Sequence, residues 1–418
     1  MPKGGRYNTV RNMYQVKTIY GKTTNKKITV SVPGSKSITA RALLIAAIAN
    51  GESIITNAQF SDDCQTFLNC LKDLGIAIEQ SGSTLKIKGC GGKLNLQTAK
   101  INVGSAGTAA RFIPAFLAFQ SGKFTVESSA QMQNRPIAPL ISTLKSLGAK
   151  FTFLQKENCF PFIIEGTLTP NVDTEVDVTQ SSQFLSALLI SAVCANKPLK
   201  IKTVGAHGLD YVNITLNIMR SFGVTVSQTS GEYVVNGSYT AQSYNIEPDI
   251  SAACYFYAAN KILGTDIQVN GVTSQSMQGD IKFINLLKTF EGGKIDMSAF
   301  SDQALTLAAI APFLKQPTEI CGVSHIRKQE CDRSNAIITN LTAMGVRCEE
   351  RSDGVKIYPS QPQPAKINTF GDHRVAMSFA ITGLRANGVE IQNPEVCSKT
   401  FKNFFEVLEE VCEELITD

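Results

Sequence analysis

The stretch LKDLGIAIEQSGSTLKIKG, residues 71–89, decides the fold. It has the pattern of an amphipathic helix that ends at Gly75 and is followed by two short strands in which apolar and polar residues alternate. Glycine suits that position because it has no Cβ atom to oppose the left-handed backbone of a helix C-cap. Close copies are LKSLGAKFTFLQKENCFPFIIEG at 144–166, MRSFGVTVSQTSGEYVVNG at 219–237 and LTAMGVRCEERSDGVKIYPS at 341–360, and a looser relative is LLKTFEGGKIDM at 286–297. The sequence therefore predicts several copies of one α/β module.

Long apolar segments lie between these copies. They read ARALLIAAIAN, TAARFIPAFLAF, SSQFLSALLISAVCAN, SAACYFYAANKIL and QALTLAAIAPFL. Because they are apolar on almost every side, we expect buried helices, with the hairpin sheets outside them. A helix followed by glycine and a strand is common in α/β proteins, so coincidence is the alternative, but four close copies favour repetition.

The composition is that of an ordinary globular protein. The chain has 418 residues, of which 43% are hydrophobic and 18% charged, enough for two or three domains. A net charge of +5 is too small to indicate a nucleic-acid surface. No apolar run reaches the roughly 18 residues of a membrane span, and the N-terminus lacks a secretory signal. These features predict a soluble cytoplasmic protein with no nucleic-acid or membrane partner.

Cysteine and histidine spacing argues against a metal site. The 11 cysteines contain no C-x-x-C pair, and the 3 histidines are far apart in the chain. Scattered buried thiols in a reducing compartment are the favoured interpretation. No phosphate-loop motif and no G-x-G-x-x-G after a strand is present, so nucleotide and dinucleotide cofactors are not expected.

Three turns rich in Gly, Ser and Thr each lead into an apolar segment. They are PGSKSITAR at 33–41, VGSAGTAAR at 103–111 and VTQSSQF at 178–184. Free N–H groups and the helix dipole make such a start a site for anions, and hydroxyls or a cation strengthen it. One such turn is explained by helix capping alone. Three in one chain indicate a protein that binds small anions.

The ordered motifs PGSKSITAR, SAGTAAR, NRPIAPL, SSQFLSALL, SMQGD, FSDQALTLAAIAPF, IRKQECDR, FGDHRVAM and SKTF resemble the 3-phosphoshikimate 1-carboxyvinyltransferase family, also called EPSP synthases. The resemblance extends from about residue 27 to 408. It implies transfer of the enolpyruvyl group of phosphoenolpyruvate to the 5-hydroxyl of shikimate 3-phosphate. It also implies two domains, each of three βαβαββ units around inward helices. We expect residues 1–33 and 248–418 in the first domain, 34–247 in the second, and the active site in the cleft between them.

The resemblance also assigns substrate-binding residues. Those implied to hold phosphoenolpyruvate are Lys36, Gly107, Arg135, Gln183, Arg333, Arg374 and Lys399. Those implied to hold shikimate 3-phosphate are Lys36, Ser37, Arg41, Ser181 and Ser182, with Gln329 where the family commonly has Lys. The two substrates carry a phosphate and a carboxylate each, and arginine binds such groups with paired hydrogen bonds.

Two carboxyl groups are implied to carry the chemistry, together with Lys36. Asp302 matches the family aspartate that binds the sugar hydroxyls and acts as base, and Glu330 matches the group that handles the C3 proton of phosphoenolpyruvate. From the residues alone, Asp302 is equally an N-cap of the helix that follows it. Glu330 and Asp332 could likewise pair with Lys328 and Arg333 on a solvated turn. His373, within a local charge cluster, is a poor catalytic candidate.

Several positions depart from the family pattern. They are Ser105 for Asn, Phe112 for Pro, Gln329 for Lys, His325 for Asn and Gly208 for Ser. Ser105 and Phe112 bear on the phosphoenolpyruvate pocket, and Gln329 and Gly208 on contacts with shikimate 3-phosphate. Gly107 is the residue type of members that glyphosate inhibits, so we expect sensitivity to that compound.

Two other functions remain open at this point. An enolpyruvyl transferase acting on a UDP-amino sugar shares the fold and the donor, but its mobile catalytic-cysteine loop has no counterpart in this sequence. A non-catalytic anion-binding protein would keep the fold and lose turnover. The retained Asp302 and Glu330 argue against it. For the enzyme we expect a monomer without a cofactor or metal.

Overall fold

The computed structural model describes residues 12–19, 27–167, 171–195, 197–205 and 208–416. They form two compact units. Unit 1 contains the described residues up to Pro33 and those from Pro248 onward, and unit 2 is Gly34–Glu247. Unit 1 opens with β1 (Met13–Gln15) and β2 (Lys27–Val30).

Unit 2 alternates helices with short strands. Its elements are α1 (Lys36–Ile48), β3 (Glu52–Thr56), α2 (Asp62–Asp73), β4 (Ala77–Ser81), β5 (Thr84–Lys88), β6 (Thr98–Asn102), α3 (Ala109–Leu117), β7 (Lys123–Glu127), α4 (Ala130–Gln133), α5 (Ala138–Ser146), β8 (Lys150–Phe153), β9 (Phe162–Glu165), β10 (Asp173–Asp177), α6 (Gln183–Ser191), β11 (Leu199–Val204), α7 (Leu209–Ser221), β12 (Ser227–Thr229), β13 (Glu232–Val235) and β14 (Ser243–Asn245). They build sheets of one recurring topology. A first strand runs parallel to a second strand, and the second strand pairs antiparallel with one strand of a hairpin that follows the next helix.

The strand orders of unit 2 show this recurrence. They are β6-β7-β9-β8, β10-β11-β13-β12 and β14-β3-β5-β4. In each sheet the first two strands are parallel, as in the register Thr98 opposite Lys123. The other pairs are antiparallel, as in Ile54 opposite Lys86.

Unit 1 continues after Pro248 with a similar alternation. Its elements are α8 (Ile250–Leu263), β15 (Asp266–Val269), α9 (Ile281–Leu287), β16 (Gly293–Asp296), α10 (Ala304–Ile310), β17 (Thr318–Cys321), α11 (Arg333–Ala343), β18 (Cys348–Arg351), β19 (Gly354–Ile357), β20 (Ala365–Ile367), α12 (His373–Gly383), β21 (Val389–Gln392) and α13 (Phe404–Ile416). The sheet β16-β17-β19-β18 has the topology seen in unit 2. The described residues also form the smaller sheets β1-β21-β20 and β15-β2.

The glycines that the sequence placed at helix ends have the expected backbone. Gly75, Gly148, Gly223 and Gly345 have φ of 81°, 108°, 89° and 71°. Each lies between a helix and an antiparallel hairpin. The helix, glycine and hairpin pattern is therefore confirmed in its four close copies. The looser copy differs, because β16 pairs in parallel with β17 and forms no hairpin.

The apolar segments form the buried helices of each unit. In α1 every residue from Ile38 to Ile48 is buried, and in α3 every residue is. Within unit 2, α3 packs against α6 and α6 against α1; within unit 1, α8, α10 and α12 pack against one another. The prediction of inward helices is confirmed. Of the helices the structure describes, none is both long and apolar enough to span a bilayer.

The thiols are scattered through both units. All 11 cysteines are free. Burial raises the pKa of Cys70 and of Cys412 to about 12, so both stay protonated and pack as small apolar groups. Within the described ranges, no three His, Cys, Asp or Glu side chains are grouped so that they could hold a metal ion.

Candidate active site

Unit 2 presents Lys36 and Ser37 on the first turn of α1. Both side chains are partly exposed, and they follow the buried Ser35. Lys36 Nζ lies 3.3 Å from Oδ2 of Asp63, on α2. The sequence gives no separate signal for Asp63, because an acidic pair at a helix start is normally a dipole or capping feature. Asp63 holds the amine at the start of α1, where an anion would also meet backbone N–H groups.

Arg41 lies one turn further along α1 and is buried. Its Nε donates to Thr215 Oγ1 at 2.7 Å and its Nη1 to the Ser37 carbonyl at 2.9 Å. Its Nη2 lies 3.3 Å from both Ser186 Oγ and the Tyr211 carbonyl. Burial lowers the pKa of Arg41 to about 10, so it stays charged at neutral pH. Arg41 therefore joins α1 to α6 and α7 in this structure, and its contact with shikimate 3-phosphate stays a prediction.

Gly107 and Arg135 lie close together. A Cβ atom on Gly107 would be 3.3 Å from both terminal nitrogens of Arg135. The buried Arg111 binds a backbone carbonyl next to each of them. Its Nη1 donates to the Gly107 carbonyl at 3.2 Å, and its Nη2 donates to the carbonyl of Pro136, the residue after Arg135, at 2.6 Å. Glycine at 107 thus leaves room for the guanidinium that the family pattern assigns to phosphoenolpyruvate.

Ser181, Ser182 and Gln183 lie at the start of α6. The Gln183 backbone N–H donates to Ser181 Oγ at 3.3 Å, and Ser182 is buried. The unusual Gly208 is explained here: its φ is 68°, and a Cβ atom would lie 2.6 Å from Ser182 Oγ. A serine at 208 would be strained in this backbone and would collide with Ser182.

Two other departures from the family pattern have a structural account. Phe112 is fully buried, meets Phe67 edge-on at 6.3 Å between ring centroids, and lies 5.4 Å from the Arg41 guanidinium carbon. It is therefore a core residue of unit 2. Ser105 Oγ lies 2.7 Å from Ser129 Oγ, which caps α4.

Unit 1 holds a compact cluster of two arginines and two aspartates. Arg333 Nε donates to Asp372 Oδ2 at 2.8 Å, and Arg333 Nη1 donates to Asp302 Oδ1 at 3.1 Å. Arg374 Nη2 donates to Asp302 Oδ2 at 2.9 Å. Burial lowers the pKa of Arg333, but Asp372 and Asp302 raise it more, so the net shift is upward. The N-cap of α10 is Gln303, so the capping interpretation of Asp302 is wrong.

Lys399 and Glu330 form a second pair in unit 1. Lys399 Nζ lies 2.6 Å from Glu330 Oε2, and their side chains are 13% and 8% exposed. Glu330 thus pairs with a residue distant in sequence rather than with Lys328 on a solvated turn. Gln329 accepts a hydrogen bond from Arg333, whereas Lys328 is exposed.

His325 and His373 have different settings. His325 Nε2 lies 2.8 Å from Oγ of Ser301, the residue before Asp302. His373 is buried at the start of α12, with Nδ1 3.7 Å from Asp372 Oδ1. Asp372 also caps α12 by accepting the Arg374 N–H at 2.8 Å.

We assign the sequence-predicted residues to two charged groups, one in each unit. Direct contacts join Arg333 to Asp302 and Gln329, and Arg374 to Asp302. Separate contacts join Glu330 to Lys399 and Ser181 to Gln183, and Arg135 lies beside Gly107. The unit 2 group contains Lys36, Ser37, Gly107, Arg135, Ser181, Ser182 and Gln183, with Arg41 buried behind α1. The unit 1 group contains Asp302, Gln329, Glu330, Arg333, Arg374 and Lys399. Sequence reasoning missed Ser251 and Asp280, which contact or lie near Arg374; the SMQGD motif, which ends at Asp280, was the available signal.

Comparison with known proteins identifies relatives across almost the whole chain. The model of the EPSP synthase (3-phosphoshikimate 1-carboxyvinyltransferase) family matches residues 21–408. A protein of Trichormus variabilis with the name 3-phosphoshikimate 1-carboxyvinyltransferase is 39% identical over 402 residues, covering 90% of this chain and 94% of the relative. One of the same name from Escherichia coli is 38% identical over 408 residues, covering 91% and 95%.

Solved structures show the same fold. EPSP synthase from Acinetobacter baumannii superposes with a TM-score of 0.81 at 22% identity, covering 95% of this chain and 98% of that one. The enolpyruvyl transferase NikO from Streptomyces tendae gives 0.74 at 13% identity, covering 96% and 97%. At these identities the likeness concerns the fold alone.

Proposed function

This chain belongs to the EPSP synthase family, and on that premise we propose that its two charged groups bind and activate the two substrates of one reaction. The reaction is transfer of the enolpyruvyl group from phosphoenolpyruvate to the 5-hydroxyl of shikimate 3-phosphate, with release of phosphate. It belongs to the shikimate pathway. The activity follows from the family; the residue roles below are our proposal.

Fixed cations bind the anionic groups of the substrates. The proposed contacts of phosphoenolpyruvate are Lys36, Gly107, Arg135, Gln183, Arg333, Arg374 and Lys399. Those of shikimate 3-phosphate are Lys36, Ser37, Arg41, Ser181, Ser182, Asp302 and Gln329. The start of α1 supports the role of Lys36 and Ser37, because a cation lies at a helix N-terminus, whose dipole favours an anion. Arg333 and Arg374 are oriented by carboxylates, which reduces the entropy lost when they bind an anion.

The carboxyl groups of unit 1 transfer the protons. Glu330 delivers a proton to C3 of phosphoenolpyruvate, while Asp302 accepts the proton of the 5-hydroxyl as that oxygen bonds to C2. The tetrahedral intermediate then breaks its bond from C2 to the phosphate oxygen. A proton returns from C3 to Glu330, and phosphate leaves with the proton that Asp302 had taken.

One observation carries the proposal. Asp302 lies between two guanidinium groups, with its oxygens 3.1 Å from Arg333 Nη1 and 2.9 Å from Arg374 Nη2. A carboxylate held by two cations is positioned to accept a proton beside an anionic donor substrate.

The decisive experiment measures phosphate released from phosphoenolpyruvate. The acceptors are shikimate 3-phosphate and, in parallel, a UDP-amino sugar. We expect release only with shikimate 3-phosphate. Asp302→Asn and Glu330→Gln should lower kcat roughly 100-fold or more, the usual scale for loss of a general acid or base. Calorimetry should show that Glu330→Gln binds the substrates nearly as the wild type does.

Glu350→Gln is the matched control, because Glu350 is an exposed carboxylate of unit 1, paired with Arg327. It should retain wild-type kcat. Release with the UDP-amino sugar alone would refute the acceptor. Release with neither acceptor, despite measurable binding, would indicate an anion-binding protein without catalysis. Unchanged turnover in Glu330→Gln would refute its role.

We also propose that the enzyme acts in the cytoplasm as a monomer, with small molecules as its partners. In the described part of the chain, the exposed large apolar side chains lie on separate elements or turns: Ile54, Leu154, Val172, Val204 and Ile416. Isolated apolar residues of this kind need no partner to cover them. Light scattering after size exclusion tests the monomer.

Glyphosate should compete with phosphoenolpyruvate, since Gly107 leaves the space beside Arg135 open; absence of competition would refute this expectation.

A further inference from the structure

Asp280 is a buried carboxyl group for which the reaction above has no role. It ends the SMQGD motif, residues 276–280, and precedes α9. Only 5% of the residue is exposed. A buried carboxylate is costly unless its environment uses the charge or the hydrogen bonds. The side chains that contact Asp280 therefore indicate its role.

Two side chains donate to the same oxygen of Asp280. One is the Ser251 hydroxyl, on the first turn of α8. The other is Gln303 Nε2, at 2.8 Å, just before α10. Gln303 is itself oriented, because its Oε1 accepts from Thr306 Oγ1 at 3.0 Å. Asp280 thus ties together the starts of α8, α9 and α10.

The Ser251 hydroxyl connects Asp280 to Arg374. Arg374 Nη2 donates to Ser251 Oγ at 3.4 Å and to Asp302 Oδ2 at 2.9 Å. Since Ser251 gives its own proton to Asp280, a lone pair of its oxygen is left to accept from the guanidinium. The chain of contacts runs from Asp280 through Ser251 to Arg374.

Electrostatics agree with this geometry. Burial and the nearby Asp302 raise the pKa of Asp280 to about 6, although Arg374, Ser251 and Gln303 oppose the shift. The carboxyl group is therefore ionised at neutral pH at a cost in stability. A neutral side chain of the same size would avoid that cost.

We propose that Asp280 is a positioning residue, which orients the Arg374 guanidinium through Ser251 for binding of phosphoenolpyruvate. The inference rests on the proposed function, in which Arg374 contacts that substrate. It assigns the SMQGD motif a role in the affinity for one substrate rather than in proton transfer.

The test compares the steady-state kinetics of wild type with those of variants of the full chain. Ser251→Ala and Asp280→Ala break the chain of contacts, and each should raise KM for phosphoenolpyruvate roughly three- to ten-fold, the scale of one hydrogen bond. KM for shikimate 3-phosphate should stay within about two-fold, and kcat should change less than KM for phosphoenolpyruvate. Asp280→Asn keeps an acceptor oxygen for Ser251, so it should restore most of the lost affinity. Asp296→Asn is the matched control, an exposed carboxylate in unit 1 that accepts from the Ser298 N–H.

Because Ser251 and Asp280 act through one contact, their effects should not add in the double alanine variant. If Asp280→Ala does not fold, the KM values of Ser251→Ala alone decide whether the inference holds. Unchanged KM for phosphoenolpyruvate in Ser251→Ala would overturn the inference, as would equal increases in both KM values. Arg374→Gln distinguishes failure of this inference from failure of the proposed function. If it raises KM for phosphoenolpyruvate while Ser251→Ala does not, only the inference about Asp280 fails. If Arg374→Gln has no effect, the proposed role of Arg374 fails with it.

Discussion

At Gly107 a missing side chain makes room for a cation. The backbone there is outside the left-handed region, and the atoms nearest to an added Cβ would be those of the Arg135 guanidinium, at 3.3 Å. That distance is shorter than ordinary van der Waals contact, so a methyl group would displace Arg135 rather than strain the backbone. The side-chain volume at residue 107 therefore controls the position of Arg135.

We predict that Gly107→Ala raises KM for phosphoenolpyruvate about three- to ten-fold, because Arg135 is displaced from a charge-assisted hydrogen bond. The steady-state KM for shikimate 3-phosphate, measured in the same preparation, should change less than about two-fold. Equal affinity of wild type and variant for phosphoenolpyruvate would show that Arg135 does not contact this substrate.

Single residues were easier to predict than their partners. The motif order identified Glu330 and Arg333, but the residues alone left Glu330 pairing on its own turn. In the structure Glu330 pairs with Lys399, which is 69 positions away, and Arg333 with Asp372, which is 39 away. Local spacing restricts helical neighbours. It contains no information about which distant charge the fold brings near.

At the scale of helices, aspartate side chains cap both α11 and α12, but in different surroundings. Asp332 accepts the Asn335 N–H at 3.0 Å, and its side chain is 41% exposed where it meets Arg327. Asp372 caps α12 and is fully buried against Arg333. The first cap contributes a hydrogen bond, and the second also neutralises a buried cation.

We predict that Asp332→Ala lowers the free energy of unfolding by about 1 kcal/mol, the usual value of an N-cap. Asp372→Ala should lower it by about 3–5 kcal/mol, because Arg333 loses its buried partner. Urea denaturation of the two variants measures the difference, with Asp332→Ala as the control for capping. Equal losses would mean that the Arg333 pair adds nothing to the stability of unit 1.

Helix ends were predictable where one local rule decides them. Gly75 and Gly345 end helices because only the left-handed backbone closes the last turn there. The copy at 286–297 looked similar but carries two successive glycines, Gly292 and Gly293, with φ of 113° and 110°. The strand that begins at Gly293 pairs in parallel with β17, which follows α10, and so forms no hairpin. Strand pairing is decided by tertiary contacts, which periodicity does not report.

At the scale of the whole chain, repetition predicted the sheets better than their assembly. The recurring hairpins predicted the antiparallel pairs β4-β5, β8-β9 and β12-β13 of unit 2. They did not show that β14 returns from the end of the unit to lie parallel to β3, with Ser243 opposite Ile54. Such a closure joins residues from the two ends of the unit, so its evidence is absent from any one copy of the repeat.

Asp280 should also affect how the free energy of unfolding of the whole chain depends on pH. Its pKa rises from 3.8 to about 6 on folding, so the folded state binds this proton more tightly than the unfolded state. The free energy of unfolding therefore decreases as the pH rises from 3.8 to about 6. Above pH 6 the ionised carboxylate destabilises the folded state by its full amount. Asp280→Asn mimics the neutral form and removes the cost.

We predict that Asp280→Asn unfolds with a larger free energy than wild type at pH 7.5, by up to about 3 kcal/mol. The difference should shrink by about 1–2 kcal/mol at pH 5, where wild-type Asp280 is mostly protonated in the folded state. Urea denaturation at both pH values measures it. Asp296→Asn should show no such change between them, because the pKa of Asp296 is lowered by hydrogen bonds from Ser298 and its titration lies below this range. A variant that is less stable than wild type at pH 7.5 would contradict the prediction.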